Sequence, residues 1–247
     1  MTGLAGGTMD RIRAQRKVDM VKVLAFDTFG TVTDWHSGVS AALYRLFPDI
    51  DGSELALDWR RTYGPALAEV EAGARPWTLL DDLHREALER LLHDRGVVNA
   101  TADQINSAVH AWHTIPGWPE AAEGLRRLKR RYTVCALSNG NVALLTEMAK
   151  LNDFAWDFIG GADLWRHYKP ASEVYLGIAD LMRVEPHEVL MVATHASDLE
   201  AARSCGLRTA YVERPREWGT QHKDEPVNPL DDYHVTGMDD LATQLGC

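Results

Sequence analysis

The sequence predicts an α/β fold: a doubly wound, Rossmann-like parallel sheet with a helical cap domain inserted into it. Three observations carry this expectation. Short continuous apolar runs recur along the chain, such as "VKVLAF" (21–26) and "YTVCALS" (132–138), as strands buried on both faces do. Helical patterns separate most of these runs at βαβ spacing. Between the first two runs lie about a hundred residues, too many for one crossover.

The elements follow in order. Residues 1–19 contain no long apolar run between their charges, so they do not read as a secretory signal; a disordered leader or a short helix is expected. After the strand at 21–26, residues 36–115 read as mostly helical. In "GVSAALYRLF", "ELALDWRRTYGPALAEVEAG", "TLLDDLHREALERLLHDRG" and "ADQINSAVHAWH", apolar residues recur every three or four positions. This block is the expected cap, lying over the carboxyl edge of the sheet, where open α/β sheets bind ligands. "IPGWPE" (115–120) returns the chain to the core. Helices are expected at 119–131, 141–151, 171–183 and 198–205. They alternate with strands at 132–138, 188–194 ("EVLMVAT") and 208–213 ("RTAYVE"), and a weaker one at 156–163 ("WDFIGGAD"). The polar, proline-rich "ERPREWGTQHKDEPVNPLDDY" is expected to be a long loop, and "MDDLATQLG" a short last helix. The expected division is a catalytic core of 20–35 and 116–247 with a cap of 36–115.

Composition narrows the function. A chain of 247 residues that is 45% hydrophobic can bury a sizeable core. A formal charge of −10 argues against a nucleic-acid partner. Cys135, Cys205 and Cys247 are odd in number and far apart, which suits neither a disulfide framework nor a zinc site. No stretch reads as a membrane span, and the expected location is the cytoplasm.

The chemistry sits where strands end. "VLAFDTFGTVTDW" (23–35) runs apolar residues into Asp27, with Gly30 to turn the chain and Thr31 within reach of the carboxylate. The second strand ends in Ser138-Asn139-Gly140, groups that suit an anion at a helix start. Lys169 precedes Pro170 and a helix, and "THASDLEAA" brings Asp198 to the start of another. Each residue also has a bland reading: turn cap, helix N-cap or solvated loop lysine. Parallel strands end together, however, so two carboxylates, a lysine and several donors fall on one sheet edge. That joint pattern is more specific than any part of it.

"FDTFGTVTDW", "LSNGN", "YKPASEVY" and "VATHASDLEAARSCGLRTAYV" resemble the haloacid dehalogenase superfamily, and within it the type II L-2-haloacid dehalogenases. The resemblance implies hydrolytic dehalogenation of short 2-haloacids through an aspartyl ester, with no metal or other cofactor. It makes Asp27 the nucleophile, supported by Thr31 and Ser138 and kept ionised by Lys169. Arg60 and Asn139 then fall on residues that cradle halide or substrate, Tyr175 on an active-site tyrosine and Asp198 on a carboxylate that orients water. Phe29 stands where phosphatases of the superfamily need a second acid to protonate the leaving alcohol; a halide needs no proton, and Phe29 becomes an apolar pocket wall. Ala193 stands where phosphatases hold Mg²⁺ through an aspartate.

Two positions depart from the type II pattern: Ala193 replaces a serine and His195 an asparagine. His195, three residues before Asp198, is a candidate proton carrier or halide donor, or only bonds within its loop. Trp35, Trp59, Tyr63, Trp77, His84, Trp112 and His113 are candidates to face the sheet from the cap, Trp35 as a substrate contact, although aromatic residues on helices are more often core. "LDDLHREAL" and "AWHTIPGWP" resemble a branch with fluoroacetate-active members, which implies short haloacetates as substrates. The resemblance also implies a homodimer through the cap helices. The competing readings are another hydrolase of the superfamily, a phosphatase or a strained-ring amino-acid hydrolase, and a degenerate member that only binds.

Overall fold

The structure, a computed structural model, describes residues 20–221 and 228–247. The expected leader at 1–19 lies outside them. Six parallel strands form one sheet in the order β3-β2-β1-β4-β5-β6. They are β1 Val23–Phe26, β2 Thr133–Ser138, β3 Phe158–Gly161, β4 Val189–Ala193, β5 Arg208–Val212 and β6 Tyr233–Val235. β1 is central, with Leu24 paired to Val134 on one side and to Leu190 on the other. Side chains alternate across each strand: Leu24 and Phe26 enter one core, Val23 and Ala25 another. Burial on both faces is why these strands read as unbroken apolar runs.

β6 departs from expectation, since the sequence reading carried the polar tail through Tyr233 as loop. The strand has three residues, only Val235 is buried, and it pairs at the sheet edge with β5 alone among the described strands. An edge strand this short leaves too little periodic signal to read.

Helices α1 Trp35–Leu46, α2 Gly52–Glu71, α3 Leu80–Asp94 and α4 Ala102–His110 lie between β1 and β2 and form the cap. Their starts follow local chemistry. The Asp34 carboxylate accepts the Ser37 N–H, Asp51 accepts those of Ser53 and Glu54, and Thr101 and Gln104 form a capping box. The remaining helices, α5 Ala121–Lys129, α6 Val142–Asn152, α7 Ser172–Met182, α8 Ala196–Ser204 and α9 Met238–Gln244, accompany the sheet. Among the described residues no helix is long and apolar enough to cross a membrane.

The cap leaves and re-enters the core at one place. The Asp34 N–H donates to Pro116 O at 2.8 Å and the Trp118 N–H to Val32 O at 3.0 Å, beside an antiparallel bridge between Thr33 and Gly117. Elsewhere polar contacts draw it onto the sheet edge. Glu71, at the end of α2, accepts the Tyr168 N–H at 2.6 Å and pairs with His167. The His113 ring lies between Asp81 of α3 and Glu147 of α6.

Sheet order reverses between β1 and β4, since β1 continues through β2 on one side while β4 opens the other. Loops leave such a switch point in opposite directions and open a crevice at the carboxyl ends of the strands. Asp27 follows β1 and His195 follows β4, so both stand at that crevice.

Candidate active site

Beyond β1 the chain folds tightly over residues 27–33. Gly30 takes φ +87°, and a Cβ there would lie 2.4 Å from Glu217 Oε1, so both backbone and space demand glycine. The Val32 and Thr33 N–H groups both donate to Thr28 O, and Thr33 Oγ1 donates to the same carbonyl at 2.8 Å. From outside, the Trp118 indole donates to Gly30 O at 2.8 Å and Arg214 Nε to Thr31 O at 2.9 Å. This scaffolding fixes Asp27, which is 6% exposed.

Asp27 Oδ1 accepts from Lys169 Nζ at 3.0 Å, and Oδ2 accepts from Thr31 Oγ1 at 3.0 Å. Thr31 Oγ1 itself accepts the Thr194 N–H at 3.0 Å, which leaves its hydroxyl hydrogen for Asp27. Lys169 Nζ also donates to Asp198 Oδ2 at 2.5 Å, and the Tyr175 hydroxyl donates to Asp198 Oδ1 at 2.6 Å. The result is a buried row of acid, amine and acid. Asn139 sets the lysine in place: its Oδ1 accepts the Lys169 N–H at 2.7 Å and its Nδ2 donates to Lys169 O at 3.3 Å.

Burial alone would raise the Asp27 carboxyl, but the Lys169 ammonium and then the His195 ring outweigh it and hold it well below the usual carboxylate range. Burial would likewise lower Lys169; Asp198 and Asp27 outweigh it and hold the ammonium above its ordinary value. His195 Nδ1 lies 3.5 Å from Asp27 Oδ2 and Nε2 lies 2.9 Å from Glu217 Oε1. Burial opposes charge there too, yet Glu217 and then Asp27 push the ring up to about 10.

Above this row opens a cavity of about 650 Å³, the size of a small-molecule pocket. Phe29, Arg60, Tyr63, Asn139, His195 and Trp218 contribute to its walls. Arg60 is 8% exposed, with its guanidinium 4.2 Å from the Tyr63 ring centroid and 5.6 Å from that of Trp35. Its Nη1 has no hydrogen-bond partner among the described residues. A buried guanidinium N–H left unpaired is costly, and it suits an incoming anion. Behind this wall Trp112 packs against Phe29, Trp35, Trp59 and His84, with ring centroids 4.5–6.0 Å apart. Burial pushes the His84 ring down to about 3, so it is neutral across the physiological range.

The structure brings Asp27, Thr31, Lys169, Asp198 and His195 together, and Phe29, Arg60, Asn139 and Tyr175 line the same cavity. Tyr175, expected among the substrate contacts, also spends its hydroxyl on Asp198. Ser138 and Trp35 act at one remove from the cavity. Ser138 Oγ bonds Thr28 Oγ1 at 2.6 Å and accepts the Gly140 N–H, so it braces the nucleophile loop rather than contacting Asp27. Trp35 is fully buried and stacked on Trp112, outside the cavity lining; its indole donates to Glu217 Oε1 at 2.9 Å. Trp77 stacks on Tyr168, outside the cavity lining.

Glu217 and Trp218 were not anticipated. They belong to the stretch read as a plain loop, yet Glu217 is 4% exposed, bonded to Trp35, His195 and Trp218, and Trp218 lines the cavity. No periodicity marks them; the one clue is a tryptophan in an otherwise polar segment. Among the described residues, the three side chains grouped as metal ligands could be, His110, His113 and Glu147, lie outside the cavity lining.

Fold and site together define a capped α/β enzyme architecture with a lysine-held carboxylate at the switch point of the sheet. The chain belongs to the haloacid dehalogenase-like hydrolases: the model of that family matches residues 21–206. It is 32% identical to (S)-2-haloacid dehalogenase 4A of Burkholderia cepacia, over 86% of this chain and 93% of that protein. Identity to (S)-2-haloacid dehalogenase 1 of Pseudomonas sp. (strain CBS-3) is 30%, over 81% and 89%. Among solved structures, a defluorinating L-2-haloacid dehalogenase superposes with a TM-score of 0.88 at 38% identity, covering 92% of this chain and 96% of that one.

Proposed function

We propose that this chain is a hydrolase of carbon–halide bonds, converting short 2-haloacids to 2-hydroxy acids through an ester on Asp27. The observation that carries this reading is the buried Asp27–Lys169–Asp198 row beneath a ring-walled cavity with an unpaired Arg60 nitrogen. A carboxylate is a poor nucleophile in water because water solvates it well. Here Lys169 keeps Asp27 ionised in a site closed by aromatic rings, and Thr31 fixes its direction.

Asp27 attacks the halogen-bearing carbon from behind. The C–O bond forms as the C–halogen bond breaks, and the carbon inverts, so an L-2-haloacid yields a D-2-hydroxy acid. Arg60 and the Asn139 amide take the negative charges of the substrate carboxylate and the departing halide. Water, oriented by Asp198, then attacks the Asp27 carbonyl carbon, with His195 as proton carrier, and regenerates the carboxylate.

Phe29 offers no proton to a leaving alcohol and Ala193 offers no ligand to a divalent ion, which supports carbon–halide over phosphate-ester hydrolysis. Turnover surviving EDTA would separate the two. The resemblance of the cap motifs, together with the relative described as defluorinating, supports extending the substrates to fluoroacetate, and a fluoride electrode tests that step. The proposal also covers cytoplasmic location and a homodimer through the cap helices; a single sedimenting species of 27.6 kDa would remove the dimer.

The decisive experiment for the ester is mass spectrometry after multiple turnovers of chloroacetate in ¹⁸O-water. Label in the Asp27 carboxylate is expected. Chloride release with unlabelled Asp27 would replace the ester by direct attack of water on the substrate.

A further inference from the structure

We infer that Glu217 is a positioning residue for ester hydrolysis, holding His195 by Nε2 so that Nδ1 faces the Asp27 ester. This rests on the function proposed above and adds to it a residue from the segment after β5.

The imidazole spans two carboxylates, with Nε2 2.9 Å from Glu217 Oε1 and Nδ1 3.5 Å from Asp27 Oδ2. Glu217 is itself pinned. Oε1 accepts the Trp35 indole N–H at 2.9 Å and Oε2 that of Trp218 at 3.1 Å. Trp35 cannot yield, since it is fully buried against Trp112. Glu217 also sits hard against the nucleophile loop, in the space the absent side chain of Gly30 leaves open. A carboxylate buried this deeply is expensive to keep unless its charge is used.

The rival proton acceptor is already occupied. Asp198 receives the Tyr175 hydroxyl on one oxygen and Lys169 on the other, so both of its oxygens already hold a donor. His195 has the opposite history through the cycle. In the resting enzyme the ring faces two anions, Asp27 and Glu217, with Lys169 across Asp27 and Arg60 beyond Glu217, and it carries a proton on each nitrogen. Ester formation neutralises Asp27 and removes one of those anions. The ring then releases its Nδ1 proton to solvent, while Glu217 keeps the hydrogen on Nε2. The freed Nδ1 lone pair points at the ester.

Water adds through its oxygen to Asp27 Cγ and gives one proton to Nδ1. The tetrahedral adduct collapses by breaking the bond from Cγ to the hydroxy-acid oxygen, which takes the second proton of the water. Asp27 leaves as carboxylate and His195 as imidazolium. The proton released to solvent earlier balances the acid produced by the net reaction.

The test is rapid-quench kinetics with chloroacetate on the full chain, reading chloride release and intact protein mass, for wild type and Glu217→Gln. The variant is expected to release about one equivalent of chloride at the wild-type rate, then turn over about 10²-fold or more slowly, with the ester mass on the protein. His195→Ala is expected to stall at the same ester, and the double variant to be no slower than the slower single variant. Glu217→Asp, which keeps the charge but draws it back from Nε2, is expected to stall less; it supplies the same test should the glutamine variant not fold.

Wild-type turnover in Glu217→Gln, or burst and turnover slowed equally with no ester, would overturn the inference while leaving the proposed function intact. No halide release by wild type from any short 2-haloacid removes both.

Discussion

The sheet side of the cavity and its cap side meet the same ligand with opposite electrostatics. On the sheet side every charge is matched: Asp27 and Asp198 share Lys169, His195 lies between Asp27 and Glu217, and Tyr175 and Thr31 take up remaining oxygens. On the cap side, Arg60 Nη1 is buried without a partner among the described residues, as are Trp112 Nε1 and His84 Nδ1 behind the wall. The difference teaches a division of labour. A nucleophile must be fixed before substrate arrives, so its bonds are made within the protein. A binding wall must keep a donor free, and ring packing rather than pairing holds it in shape.

The largest effect should come from Asp27→Asn, which replaces the nucleophilic carboxylate by a neutral amide and leaves the Lys169–Asp198 pair. Halide release is expected to fall by about 10⁴-fold or more, with the fold retained by circular dichroism. A variant that kept appreciable turnover would place the nucleophile elsewhere.

Lys169→Met comes next and touches stability as well as rate. It leaves Asp27 and Asp198 buried with no cation between them, at a cost of about 3–5 kcal/mol at neutral pH. Without the ammonium that holds it low, the Asp27 carboxyl rises, so the deficit in urea unfolding should shrink as pH falls. An undiminished midpoint at pH 7 would show that the row is less dry than its geometry states.

Arg60→Leu probes the other wall. With no ion pair among the described residues to lose, the variant should melt at or above the wild-type temperature. Losing charged hydrogen bonds to the ligand, about 1.5–3 kcal/mol, should lower kcat/KM roughly 10–100-fold. A large fall in stability would mean that Arg60 braces the cap.

The smallest effects are in pH, where two histidines should move in opposite directions. His195, raised to about 10, contributes stability that is full below its unfolded value of 6.5 and lost as pH rises from there through about 10. His84, lowered to about 3, contributes stability that is full above 6.5 and lost as pH falls toward 3. His195→Asn should therefore flatten the alkaline limb of a melting-temperature profile, and His84→Asn the acid limb. Interchanged limbs would reverse the assignment of charge to the two rings.

The core strands were legible because burial on both faces writes itself as unbroken apolar runs, and Asp27, Lys169 and Asp198 because parallel strands deliver their ends to one edge. β6 was not, since three residues at an edge carry no period. Glu217 was hidden for a different reason. Its partners Trp35 and His195 are 182 and 22 residues away, and only folding joins them. Ser138 was placed at the right edge but one contact out, because Thr28 stands between it and Asp27's neighbourhood. Trp35, expected as a substrate contact, instead turns its indole to a carboxylate behind the wall. Local chemistry thus locates an edge, while the bonds made along it depend on distant chain.

The paired linkers at Thr33 and Gly117 bear on how such a molecule diversifies. A block of four helices whose two ends meet at one seam can be lengthened, trimmed or exchanged without altering the strand order beneath. Exchange at that seam would change which molecules are admitted and leave Asp27, Lys169 and Asp198 where they are, so appetite and nucleophile can vary separately.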